Sequence, residues 1–170
     1  ECAAPVAVRR DYTLPAFVDR DSLVIANSYS GNTEETLSAA RCALGRGAKL
    51  LAISTGGQLA ELAKQHAIPW VKISYESAPR AALGHSFTTL LCILQTLGFI
   101  GQGRQELVEA IEEMASLQGE IRPDVPQENN PAKALAERLY GRIPLVYGAE
   151  HLAAVARRWM GKFNENTKTW

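Results

Sequence analysis

Leu23-Val24-Ile25-Ala26-Asn27-Ser28-Tyr29-Ser30-Gly31-Asn32-Thr33-Glu34-Glu35-Thr36 decides how the rest of the chain reads. The four apolar residues Leu23 to Ala26 suit a strand buried on both faces, as a parallel sheet requires. Beyond the turn, Leu37-Ser38-Ala39-Ala40-Arg41-Cys42-Ala43-Leu44 has a helical pattern. It predicts a helix from about Thr33 to Arg46, stopped by Gly47. A strand, a short hydroxyl-rich turn and a helix together present backbone N–H groups and O–H donors to an anion. The helix amino end adds partial positive charge at the same spot. Gly31 allows a sharp turn and a close backbone approach. Ser28, Ser30, Asn32, Thr33 and Thr36 supply small polar groups, so phosphate can be held there without lysine. A plain capping turn would also place Ser and Asn before Glu. Five hydroxyl or amide groups around one glycine exceed what a cap needs, and the pattern favours phosphate.

Working outward, Lys49-Leu50-Leu51-Ala52-Ile53-Ser54 reads as the next strand and ends in Thr55-Gly56-Gly57. A helix follows with Leu59, Leu62 and Ala63 on one face, then Pro69, then a third strand, Trp70-Val71-Lys72-Ile73. Three strands alternating with two helices make a doubly wound α/β unit with a parallel sheet. Ligands in such sheets bind outside the carboxyl ends of the strands. Ser28 and Ser30 lie at one such end and Ser54 and Thr55 at the next, so both loops can face one crevice. Ser54-Thr55 can equally be an ordinary turn. Upstream, residues 1–21 read as an extended approach, with Val6-Ala7-Val8 a candidate edge strand.

After Ile73, the loop Ser74–Arg80 leads into a long apolar helix that holds Leu83, Phe87, Leu90, Leu91, Ile93, Leu94 and Leu97 and ends near Gly98. Apolar residues on nearly every face imply burial between layers or at a subunit contact. Arg80 follows Pro79 on the edge of the sheet that carries the hydroxyl loops. Its guanidinium suits phosphate or sugar oxygens, although arginines are also ordinary surface residues. Arg104 to Leu117 is amphipathic, with Leu107, Ile111 and Met114 apolar and the glutamates solvated. Ile121 to Gln127 reads as a linker. Asn130 caps a further helix that starts at Pro131 and ends at Gly141.

Ile143-Pro144-Leu145-Val146-Tyr147-Gly148 reads as a new strand and Glu150 to Met160 as a new helix, so the α/β pattern restarts. The expected organisation is therefore a first domain over 1–120, whose first strand is missing, a connection over 121–142, and the start of a second similar domain over 143–170. Glu165, between two asparagines, reads on its own as a solvated residue at a helix end.

Net charge is zero, which gives no electrostatic footprint for nucleic acid. No apolar run is long enough to span a membrane. Cys2, Cys42 and Cys92 lack metal-site spacing; Cys42 and Cys92 sit in apolar helical patterns and are expected to be buried. Free thiols point to the cytoplasm. His66, His85 and His151 form no pair with ligand spacing, so no metal is expected. There is no Gly-x-Ser-x-Gly elbow and no P-loop lysine after the turn. The chain starts at Glu1 and stops at Trp170 in a polar segment, and is expected to be a piece of a longer protein.

Ser28-Tyr29-Ser30-Gly31-Asn32-Thr33-Glu34-Glu35-Thr36 closely resembles the phosphosugar-binding signature of the sugar isomerase (SIS) domain superfamily, and the likeness extends to Ile53-Ser54-Thr55-Gly56-Gly57. Pro79-Arg80-Ala81-Ala82-Leu83-Gly84 and Arg158 to Lys168 narrow it to the bifunctional phosphoglucose/phosphomannose isomerases. The resemblance implies an aldose–ketose isomerase of hexose 6-phosphates working through an enediolate, without a cofactor and as a homodimer. It implies that Ser28, Ser30 and Thr33 hold the phosphate while Gly31, Asn32 and Thr36 shape the loop. Arg80 would steady the enediolate and Glu165 would be the base, which reverses the bland reading of that glutamate. Three features of that subfamily are missing: a Gly-Gly-Ser turn before this region, and a ring-opening histidine and a lysine after it. The piece alone is therefore expected to be inactive. The alternative is a non-catalytic sugar-phosphate-sensing module, for which a base at Glu165 has no use.

Overall fold

In the computed structural model, residue 2 and residues 4–168 are described. They form two compact units, 1–102 and 103–170. The first is built on a parallel sheet of three strands in the order β1-β2-β3, with β1 at Leu23–Asn27, β2 at Lys49–Ser54 and β3 at Trp70–Lys72. β1 and β2 pair from Leu23 opposite Lys49 to Asn27 opposite Ile53. β2 and β3 pair from Ala52 opposite Trp70 to Ser54 opposite Lys72. Helix α1 (Glu34–Gly45) joins the first pair and α2 (Gly57–Gln65) the second. Because the strands follow one another in sequence order and such crossovers are right-handed, both helices fall on the same face of the sheet.

Period-two alternation along β2 sorts its side chains. Leu50 and Ala52 join Ala26 of β1, Leu37, Ala40 and Ala43 of α1, and Leu59, Leu62 and Ala63 of α2 in one buried cluster. Alanines predominate on the contact face of α1, which lets helix and sheet approach closely. On the other face, Leu51 and Val71 line a cavity of about 430 Å³ together with Thr88, Thr89, Cys92 and Ile93 of α3 (Leu83–Thr96). The sheet is thus flanked by helices on both sides, but unevenly: no residue of α3 is buried. Cys92 is accordingly exposed and Cys42 half-buried, where the apolar patterns predict burial.

Helix α1 stops where expected, just before Gly47 with φ +69°. Arg46 reaches back from the end of α1 and donates to the carbonyls of Leu14, Pro15 and Val18, so the approach segment is strapped across the helix end. Val6-Ala7-Val8 forms no strand; Val6 and Val8 are exposed, and no neighbouring strand offers them a hydrogen-bonding edge among the described residues.

The second unit holds α4 (Arg104–Ile121), α5 (Pro131–Leu139) and α6 (Ala153–Lys162), the last continuing into one π-helical turn, Phe163–Thr167. α4 runs one turn further than its apolar stripe predicts. Asn130 caps α5 as expected: its side-chain oxygen accepts from the N–H groups of Ala132 and Lys133 at 3.1 and 3.0 Å, and its amide donates to the Arg122 carbonyl at 3.0 Å. The predicted strand over 143–148 is not formed. The segment carries no ladder hydrogen bonds, and Ile143, Leu145 and Tyr147 are exposed. An isolated extended segment has nothing to pair its backbone groups with, and none of the described residues of this unit is in a strand.

Candidate phosphosugar site

Two loops meet at the carboxyl ends of β1 and β2, residues 28–33 and 54–58. Their backbones interlock. Thr55 N–H donates to the Tyr29 carbonyl at 2.8 Å, and Leu59 N–H to the Gly31 carbonyl at 2.9 Å. Gln58 N–H donates to the Asn32 side-chain oxygen at 3.0 Å. The approach is so close that a Cβ on Gly31 would lie 1.9 Å from the Gly56 carbonyl oxygen, and one on Gly57 would lie 2.4 Å from that of Ser30. Both glycines also have positive φ, +71° and +70°. These positions therefore require glycine for space and for backbone conformation alike.

Inside the first loop, Ser28 is buried. Its hydroxyl oxygen accepts from Gly31 N–H at 3.1 Å and shares a hydrogen bond of 2.8 Å with the Thr33 hydroxyl. Ser30 accepts from Asn32 N–H at 3.2 Å. Thr33 occupies the N-cap position of α1 but makes no side-chain cap bond, because its hydroxyl is turned to Ser28. The amino end of α1 thus opens on a cup whose rim is the exposed Ser30, Asn32 and Thr33 and whose floor is Ser28; Thr36 is half-buried one turn on. Glu34 and Glu35 stand in the same first turn. Glu35 first, then desolvation and the hydrogen bond to Glu34, raise the ionisation of the nearby Tyr12 phenol above its ordinary range.

Ser54 and Thr55, read as either ligand groups or turn residues, are held within the protein. Ser54 is fully buried; its hydroxyl donates to the Gly56 carbonyl at 2.9 Å and accepts from the Trp70 indole N–H at 3.0 Å. The Thr55 hydroxyl donates to the Tyr29 carbonyl at 2.9 Å. In this arrangement the single proton of each hydroxyl is committed to a backbone carbonyl. Asn32 likewise spends its oxygen on α2.

Arg80 lies on an exposed single turn, Pro79–Ala81, anchored by the buried Ala82 just before α3. His85, in the first turn of α3, stacks on Tyr75 with ring centroids 4.3 Å apart. Glu165 belongs to the second compact unit, exposed in the π turn after α6, where its carbonyl accepts from Lys168 at 2.9 Å. Two contributors escape a reading by residue type. The Trp70 indole looks like strand packing, and the Tyr29 hydroxyl looks incidental between two serines. An amphipathic ring on a polar loop, with a polar tip that must find a partner, was the available signal.

Residues 128–170 match the family model described as the bacterial phospho-glucose isomerase C-terminal SIS domain. Along nearly its whole length the chain is 45% identical to a bifunctional phosphoglucose/phosphomannose isomerase from Caldicellulosiruptor bescii, covering 99% of this chain and 50% of that protein. The likeness to these bifunctional isomerases thus runs along nearly the whole chain, and the likeness to a SIS domain lies in residues 128–170. The relative of the same name from Aquifex aeolicus is 40% identical over 97% of this chain and 48% of its own. A more distant relative, named D-glucosamine-6-phosphate 4-epimerase, from Sulfolobus acidocaldarius, is 30% identical over 89% of this chain and 46% of its own. The chain spans about half the length of the curated relatives it matches. Among the described residues no helix is long and apolar enough to cross a membrane.

Proposed function

We propose that the protein of which this chain is part interconverts fructose 6-phosphate with glucose 6-phosphate, and mannose 6-phosphate through the same enediolate. The observation that carries this reading is the glycine-locked cup of hydroxyls at the amino end of α1, in a chain whose relatives are named for that chemistry. Ser28, Ser30 and Thr33 bind the phosphate, with Gly31, Asn32 and Thr36 giving the loop its shape. The handle fixes the reacting carbons, so binding far from the chemistry contributes orientation. Glu165 removes a proton from one carbon beside the carbonyl and returns it to the next. Arg80 stabilises the negative oxygen that develops between these steps. The role of Glu165 is supported by its place in Asn164-Glu165-Asn166, within the stretch that resembles the subfamily.

The working unit in this reading is a cytoplasmic homodimer. The exposed Leu83, Phe87 and Leu97 at and beside α3 supply an apolar surface for a partner, and the cysteines are free. The second SIS-type domain begins within residues 128–170.

Glu165→Gln in the full-length protein tests the mechanism. Turnover of fructose 6-phosphate is expected to fall by about 10²–10⁴ while affinity for the sugar phosphate stays within about twofold. Unchanged turnover removes Glu165 from the reaction. The epimerase relative favours one second reading, in which the same phosphate handle serves chemistry at another carbon. Analysis of the products from glucose 6-phosphate by nuclear magnetic resonance separates the two: a C-4 epimer in place of a ketose or C-2 epimer would select it.

A further inference from the structure

Tyr29 stands between the two serines of the cup, and its ring carries the hydroxyl away from the loop. That hydroxyl donates to the carbonyl of Tyr75 and accepts from Ser77 N–H at 2.8 Å, 46 and 48 residues along the chain. The carbonyl of the same residue accepts from both the N–H and the hydroxyl of Thr55, at 2.8 and 2.9 Å. One residue therefore joins the loop after β1, the loop after β2 and the segment after β3. The last of these is the segment that delivers Arg80, three residues beyond Ser77. Residues 74–78 have no regular structure, and only Ser77 among them is sheltered, at the point where it meets Tyr29. Tyr75, the other contact, is in turn held against His85 of α3.

A cation on an exposed turn serves a reaction only if it is held close to where charge develops, because small misplacements forfeit much of the benefit. We propose that Tyr29 is a positioning residue: its hydroxyl registers the Arg80 segment against the phosphate cup, so that the handle and the charge-stabilising group are set by one loop. This rests on the role given above to Arg80. It assigns to the second residue of the Ser-Tyr-Ser stretch a task separate from phosphate binding, with its side chain pointed at another loop.

The experiment is a double-mutant cycle of Tyr29→Phe and Arg80→Ala in the full-length protein, read as kcat and KM for fructose 6-phosphate. Tyr29→Phe is expected to lower kcat by about tenfold and leave KM within about threefold. In the Arg80→Ala background it should cost less than about twofold, since residues acting through one another are not additive. An equal fall in both backgrounds overturns the inference, because the hydroxyl then acts independently of Arg80. So does an unchanged kcat in Tyr29→Phe, or loss of its cooperative unfolding transition, which would make the hydroxyl a requirement of the fold. If Arg80→Ala itself leaves kcat unchanged, the role of Arg80 falls and takes the inference with it. If Arg80→Ala is impaired and Tyr29→Phe is not, the inference alone falls.

Discussion

The two regions that carry the proposed chemistry are built in opposite ways. The phosphate cup is set by contacts packed into two short loops: a buried serine, two glycines with no room for a Cβ, and hydrogen bonds that run between the loops. The Glu165 region ends a unit in which Asn130 is the one buried residue among those described. There α4, α5 and α6 bury no side chain, and Ile111, Met114, Leu145 and Trp159 stand exposed. Apolar stripes at helical spacing need a surface to cover them, and the described residues of this unit do not supply one. In the proposed reaction, binding the handle is thus a local matter of two loops, whereas placing the base would call for a surface beyond its own helix.

The sharpest way to break this contrast is Gly31→Ala. The added methyl would meet the Gly56 carbonyl at 1.9 Å and would hold a residue at φ +71°. Strain and overpacking each cost about 1–3 kcal/mol, so urea unfolding is expected to show a loss of about 2–6 kcal/mol, with sugar-phosphate binding abolished in calorimetry. A variant that bound normally would mean that the loops part without consequence and that the cup is not locked. Asn130→Ala should act in the other region with a smaller effect. It removes both cap bonds and the tie to Arg122, worth about 1–2 kcal/mol together. Thermal unfolding should shift down while hexose 6-phosphate affinity stays within about twofold. A parallel loss of affinity would show the two regions to be coupled.

The same contrast explains what could be read from residues alone. Leu23–Asn27, the glycine stops and the Asn130-Pro131 helix start are legible because each rests on periodicity or on a single residue's backbone preference. The hydroxyls around Gly31 are legible for the same reason. The strands expected at Val6–Val8 and Ile143–Gly148 are apolar enough, but a strand exists only with a neighbour, and a neighbour is a property of the sheet. Cys92 follows a buried pattern on a helix that is left uncovered. Tyr29 and Trp70 are silent in the sequence because their meaning lies in partners that are 46 and 16 residues away.

Ser54 and Thr55 left a choice open, and Ser54→Ala turns it into a measurement. The Ser54 hydroxyl sits fully buried between the Trp70 indole and the Gly56 carbonyl, on the inner side of the loop that meets the cup. If it serves only to hold the 54–58 loop, its removal leaves one indole N–H without its acceptor, and stability should fall by about 1–2 kcal/mol. Affinity for hexose 6-phosphate should then change by less than about threefold, the residue of a slightly looser loop. A direct ligand group would reverse the ratio, because its loss is felt by the bound complex and hardly by the free fold. An affinity loss of tenfold or more at unchanged stability would therefore place Ser54 on the substrate. It would also extend the cup from one loop to two, and the first loop would no longer carry the anion alone.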